Sequence, residues 1–222
     1  MKRITLLVLM MVLLGSVVVE AQNEAGTFEI VGGAKVAKLD YTLKINGSQI
    51  DWTEDSQAVI DDLSKPAGFY LGGIYWLDNN KGIELGASLL ESSFSGKIDG
   101  EEVEKRDQFL GFYGKYNYRI NQYFKLNAGL TYSSFKEEDK IAAKNFDQVV
   151  EEGSGFGLNA GGGMTFPITE NLVITGELTY SLLNIMIDKS YDQDKDKLVD
   201  LDYDREYVMN PLSAKLGVSY RF

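Results

Sequence analysis

Residues Leu212-Ser213-Ala214-Lys215-Leu216-Gly217-Val218-Ser219-Tyr220-Arg221-Phe222 alternate without a break. Leu212, Ala214, Leu216, Val218, Tyr220 and Phe222 form one face, and Ser213, Lys215, Gly217, Ser219 and Arg221 form the other. A period of two is the mark of an extended strand, because successive side chains point to opposite sides of a sheet. Every apolar group therefore lies on one side of the segment.

The same pattern recurs upstream. One run sets Leu172, Ile174, Gly176, Leu178 and Tyr180 against Val173, Thr175, Glu177, Thr179 and Ser181, and another sets Phe156, Leu158, Ala160, Gly162, Met164 and Phe166 against a Gly/Asn/Thr face. Phe124 to Tyr132 and Leu110 to Ile120 alternate in the same way, with Lys125, Lys115 and Arg119 on their polar faces. Ile83, Leu85, Ala87 and Leu89 face away from Glu84, Gly86 and Ser88. Phe69 to Leu77 is apolar on both faces. In the first run Phe28, Ile30, Ala34 and Val36 have one parity while Ala37, Leu39, Tyr41, Leu43 and Ile45 have the other, which predicts a bulge near Gly32-Gly33 or Val36-Ala37.

Eight runs are thus placed, each long enough to cross a bilayer when tilted. No apolar run in the mature chain reaches the roughly 18 residues that a spanning helix needs. The connections alternate in kind. Residues 78–82, 121–123 and 167–171 are short and rich in turn formers. The others, 48–68, 95–107, 136–155 and 187–210, run from 13 to 24 residues and hold 24 of the chain's 33 acidic residues, so they read as four long acidic loops. Short turns at one end, long loops at the other and both termini on the short side describe an eight-stranded antiparallel up-and-down transmembrane β-barrel. Aromatic residues support two interfacial girdles: Tyr118, Phe124, Phe166, Tyr220 and Phe222 beside the short turns, and Tyr41, Phe69, Tyr132, Phe156 and Tyr180 toward the loops.

The N-terminus has the three parts of a secretory signal. Met1-Lys2-Arg3 is the basic region, Ile4 to Leu14 the apolar one, and Val19 and Ala21 fit the small-residue positions of a cleavage site. Residues 1–21 are expected to be removed and residues 22–222 to form one barrel domain. A retained anchor is the competing reading, but the apolar run is short for it. The chain has no cysteine, which removes an N-terminal lipid anchor, disulfides and thiolate metal sites. A formal charge of −11 argues against a nucleic-acid partner.

There is no histidine, so a Ser/His or Cys/His nucleophile pair cannot be built, and no enzymatic activity is expected. Glu84 and Glu177 are the acids read as inward-facing. Lys115, Arg119, Lys125, Lys215 and Arg221 are inward cations that would pair with them in an interior charge network, a reading preferred to a catalytic carboxylate dyad because buried charges need partners. With Phe109 and Tyr113 they would fill an interior that eight strands make only wide enough for side chains. Asp192, Asp194 and Asp196 suggest weak calcium or magnesium binding beside the reading of a solvated acidic loop. Lys197 stands where a calcium loop needs its sharp-turn Gly, however, and Tyr203 where it needs its bidentate Glu. No other cofactor is expected.

Lys215, Gly217, Tyr220 and Phe222, ending on the carboxylate, resemble the assembly signal that outer-membrane barrels present to their insertion machinery. The mature chain resembles the small Gram-negative outer-membrane barrels of the OmpX, OmpA-barrel and opacity-protein type. Gly33-Ala34-Lys35-Val36, Lys65-Pro66-Ala67-Gly68-Phe69 and Leu216 to Phe222 are most similar to the PorT-like "porin family" barrels. The resemblance implies an integral outer-membrane protein embedded in lipid. The expected function is a barrel closed to solutes that displays its acidic segments to an extracellular ligand, for envelope integrity, adhesion or surface recognition. The alternative is a narrow porin-like passage for small solutes or ions.

Overall fold

The computed structural model describes residues 25–50, 54–98, 101–141, 146–192 and 195–222. The segment read as a signal peptide lies outside these residues. The described elements are β1 (Phe28–Lys38), β2 (Tyr41–Ile45), β3 (Ser48–Ile50), α1 (Glu54–Leu63), β4 (Ala67–Trp76), β5 (Lys81–Ile98) and β6 (Glu101–Arg119). They continue with β7 (Phe124–Ile141), β8 (Phe146–Pro167), β9 (Leu172–Asp192), β10 (Lys197–Asp200), β11 (Arg205–Met209) and β12 (Leu212–Arg221). Eight strands close a ring in the order β12-β1-β4-β5-β6-β7-β8-β9, with β12 pairing antiparallel to both β1 and β9. Closure leaves no strand edge in the membrane, where an unpaired backbone group costs several kcal/mol. No described helix is long and apolar enough to cross a membrane.

The three short turns share one device. Asp78 Oδ1 accepts from the backbone N–H groups of Asn80 and Lys81, Asn121 Oδ1 from those of Tyr123 and Phe124, and Thr169 Oγ1 from those of Asn171 and Leu172. A short polar side chain thereby replaces the backbone partners that the strands lose as they reverse.

The opposite end differs from the sequence expectation. Three of the four acidic stretches are largely strand: β5, β6, β7, β8 and β9 carry the wall on through Ile98, from Glu101, through Ile141, from Phe146 and through Asp192, whereas the described residues of 48–68 form β3, the helix α1 and the start of β4. Alternation continues there with its sense reversed. Inside the membrane band the outward residues are apolar, as with Leu110, Phe112 and Tyr116 of β6, whereas beyond it they are Gln108, Arg106, Glu104 and Glu102. The inward residues change in the opposite direction, from Lys115 to Phe109 and Val103. Water replaces lipid outside, so the same wall turns its apolar face to the axis. A search for apolar-outward alternation ends at this level and reads the remainder as loop.

The parity change in the first run has the same origin. No bulge occurs near Gly32-Gly33 or Val36-Ala37. Lys38 pairs with Leu212 and Tyr41 with Met209 in one unbroken register, bridged where Asn210 donates its backbone N–H to Asp40 at 3.2 Å. Odd residues face inward throughout, from Glu29 and Val31 to Ala37, Leu39 and Leu43. The register shifts lie instead at Glu137/Glu138 and Glu152/Gly153. Phe69 to Leu77 resolves with Tyr70, Ile74 and Trp76 inside and Phe69, Leu71, Tyr75 and Leu77 outside. Of the aromatics assigned to the girdles, Tyr41 turns inward instead, donating to Asp107 at 3.4 Å.

The seam between β1 and β12 depends on glycine. A Cβ at Gly217 would meet the Gly32 carbonyl oxygen at 2.2 Å and the Tyr70 hydroxyl at 2.4 Å, and one at Gly33 would meet the Leu216 oxygen at 2.2 Å. Phe222 donates its backbone N–H to Phe28 at 2.9 Å, and its ring lies 5.0 Å from that of Tyr220. The residues read as an assembly signal thus also build the closing seam.

Candidate functional site

The interior is stacked in four levels, each set by what alternation delivers to the axis. At mid-membrane, Lys215 lies directly across the strand pair from Glu177, and Lys115 directly across from Glu84. Glu177 gathers three cations: it is ion-paired to Lys115, lies 3.5 Å from Lys215 and 3.7 Å from Lys125, and accepts a hydrogen bond from Thr179 at 2.8 Å. Lys125 reaches it by passing over Gly163, where a Cβ would sit 3.0 Å from the lysine chain. Glu84 accepts from Asn117 at 3.2 Å and lies 3.9 Å from Lys125. Tyr113 fills the space over Gly72 and Gly86, and Lys215 stands 4.2 Å from its ring centroid. Such charges are tolerable only with compensating partners, because desolvation costs several kcal/mol per ion.

The predicted members Arg119 and Arg221 belong to a second group at the short-turn end. Arg221 donates to Glu29 through Nε and Nη2 at 3.1 and 2.9 Å, and Arg119 approaches the same carboxylate at 4.0 Å while stacking 3.9 Å over the Trp76 ring. Glu29 and Lys35 were not among the expected interior residues. Their inward parity is hidden by the change of face along β1–β2, and a reading that allowed alternation to invert where β1 leaves the membrane would have placed both. Glu84 and Glu177 are therefore not alone among inward acids.

Above the ionic level lies an apolar layer of Leu90, Phe109, Phe135, Leu183, Ile185, Ile187 and Met209 with Leu39 and Leu43. The Phe109 and Phe135 rings are 5.1 Å apart, and Tyr207 packs edge-on to Phe135 at 5.7 Å. It is an ordinary water-excluding core, placed where the wall leaves the lipid.

Beyond it, Asp107, Glu137 and Glu151 occupy directly facing positions on β6, β7 and β8. Their counter-charges are Lys105, 3.0 Å from Glu137 and 2.7 Å from Asp139, and Arg205, ion-paired to Glu151. Burial, then repulsion from Glu137, pushes Asp107 up to about 8 and Glu151 up to about 7. Outside the wall, Arg106 with Glu91 and Lys140 with Glu104 form exposed pairs of little energetic weight.

At the 187–210 segment, β9 and β10 form a hairpin. Asp192 pairs with Lys195 at 2.9 Å, while Asp196 accepts from Tyr191 and from Gln148 at 3.3 Å. Asp194 lies outside the described residues. Among the described residues no three acids are arranged to hold a metal ion.

Comparison with known proteins agrees with this architecture. The profile of the outer membrane protein beta-barrel domain family matches residues 6–222. OprG from Pseudomonas aeruginosa is similar in structure, with a TM-score of 0.58 at 15% identity over 91% of this chain and 98% of that one. A major outer membrane protein from Thermus thermophilus gives 0.54 at 15% identity over 90% of this chain and 100% of that one. Ail, the attachment invasion locus protein of Yersinia pestis, in complex with the heparin analogue sucrose octasulfate, gives 0.51 at 18% identity over 89% and 99%. No curated protein matches in sequence.

Proposed function

The chain belongs to the outer membrane protein beta-barrel domain family, and from that premise we propose that it is a barrel closed to solutes, bearing a rigid acidic collar on the cell surface. The collar serves envelope integrity, adhesion or recognition of an external partner. One observation carries this reading: the axis is occupied twice, by the Glu84/Glu177–lysine level and by the apolar layer around Phe109 and Phe135. On this reading either level alone would obstruct a hydrated ion. No catalytic role is assigned, since the chain has no histidine and the buried Glu177 is engaged by three lysines.

The outward charges of β5, β6 and β7 above the membrane are what a partner would meet. Functional contacts commonly sit on segments held by a rigid scaffold. The test is single-channel recording of the refolded protein in a planar bilayer. No steady conductance is expected, and steady steps that persist at both polarities would favour the narrow passage instead. Shortening the β5–β6 and β7–β8 hairpins above the membrane is expected to reduce adhesion or envelope resistance while heat-dependent gel mobility stays that of a closed barrel.

A further inference from the structure

We infer that the short-turn mouth of the barrel, its periplasmic end, is a binding site for a phosphate-type oxyanion. A cavity of about 250 Å³ opens there between the turns, lined by Trp76, Arg119, Arg221, Lys125 and Glu29 and rimmed by turn residues such as Asn80 and Asn121. Short turns face the periplasm in outer-membrane barrels, so the site is reached from within the cell envelope.

Two independent features point to an anion. The first is orphaned donors. Trp76 is 1% exposed and its indole Nε1–H has no acceptor, and Arg221 Nη1 has none either. Buried N–H groups are paired in the great majority of structures, and a donor left without a partner costs its full desolvation. The second is charge. Among the described residues the transmembrane lumen holds Lys35, Lys115, Arg119, Lys125, Lys215 and Arg221 against the carboxylates Glu29, Glu84 and Glu177. Cations outnumber carboxylates two to one inside a chain whose net charge is −11. The two arginines at the mouth share one carboxylate. A tetrahedral oxyanion accepts several N–H bonds at once and supplies the missing negative charge, and guanidinium groups suit it geometrically. A neutral occupant of the cavity would leave the charge imbalance in place.

The probe is inorganic phosphate. Trp52 and Trp76 are the two tryptophans, so isotope-labelled protein carrying Trp52→Phe reports Trp76 as a single indole N–H resonance. Refolded in maltoside micelles, which contain no phosphate, it should show a saturable downfield shift with phosphate in the millimolar range. Sodium chloride at matched ionic strength should not reproduce it. Arg119→Gln removes one charge-assisted partner and should weaken phosphate binding about tenfold. Should that variant fail to refold, Trp76→Phe gives the second readout, because the rise in Tm produced by phosphate should shrink while the heat-shifted gel band of the folded barrel remains. A parallel arm compares phosphatidylglycerol with phosphatidylcholine nanodiscs. A shift with free phosphate in micelles assigns the site to a soluble anion, and a shift in phosphatidylglycerol discs without added phosphate assigns it to a lipid headgroup. An indole signal that phosphate moves no further than chloride in every medium, or an Arg119→Gln protein that binds phosphate as tightly as the parent, overturns the inference.

Discussion

Phe135 tests whether the wall above the membrane follows the rules of a soluble core. Its side chain is 2% exposed, and its ring lies 5.1 Å from that of Phe109 and 5.7 Å from that of Tyr207. Phe135→Ala removes a ring from a layer that lipid cannot refill, so the cavity persists. Truncations of this kind cost about 3–5 kcal/mol, and each aromatic contact accounts for roughly 0.5–1.5 kcal/mol beyond the area it buries. Leu130 is the internal control. It lies on the outward face of the same strand, 62% exposed to what is lipid in the membrane. Hydrocarbon closes over Leu130→Ala, leaving only the transfer of three carbons, roughly 2 kcal/mol at about 0.8 kcal/mol per CH₂. Urea unfolding from phospholipid vesicles, followed by tryptophan fluorescence and gel mobility, gives both numbers. A loss below about 1 kcal/mol for Phe135→Ala, or a loss no greater than that of Leu130→Ala, would refute the inverted core.

Two further outcomes follow from the collar and the seam. Asp107 and Glu151 hold their protons in the folded state up to about pH 8 and 7, well above the usual carboxylate range, so the folded protein binds more protons than the unfolded one through that window. Stability should therefore fall as pH rises from about 4 to 8 and level off above it. Asp107→Asn should flatten that slope and stabilise the protein at alkaline pH, measured as the Tm or as collar proteolysis at pH values on either side of the window; an unchanged slope removes the cause. Gly217→Ala places a methyl against the Gly32 carbonyl and the Tyr70 hydroxyl. It should lower the yield of heat-modifiable barrel severalfold, whereas Gly176→Ala, whose Cβ would meet only the Lys215 oxygen at 4.0 Å, should refold normally.

The ring was legible because a membrane barrel writes each strand twice, apolar residues outward and polar residues inward, and the run from Leu212 to Phe222 does so without exception. The central charges were legible for the same reason: Lys115, Lys125, Glu177 and Lys215 fall on faces whose other members leave no doubt about direction. Alternation fails as a guide where the solvent changes. Ala37, Leu39 and Leu43 keep the parity of Glu29, yet hydrophobicity passes from the outward residues to the inward ones along that single strand path. Glu29 and the Asp107–Glu137–Glu151 row were consequently missed. Pairing across the axis was not legible either. That Lys125 reaches Glu177 over Gly163 depends on register between strands, which no local pattern states.

The height of the collar sets what the outside world encounters. From Leu89 to Ile98, β5 continues nine residues past the lipid belt, which at the rise and tilt of barrel strands lifts its tip roughly 20 Å above the membrane. Epitopes on such a wall are assembled from neighbouring strands, so antibodies raised against linear peptides from 95–107 or 136–155 would find little of their shape on the living surface. A receptor docking there meets a backbone already fixed in place by strand pairing, so little of its target's chain has to be ordered in binding. Extracellular proteases, which need an extended and movable substrate, meet chiefly the hairpin tips.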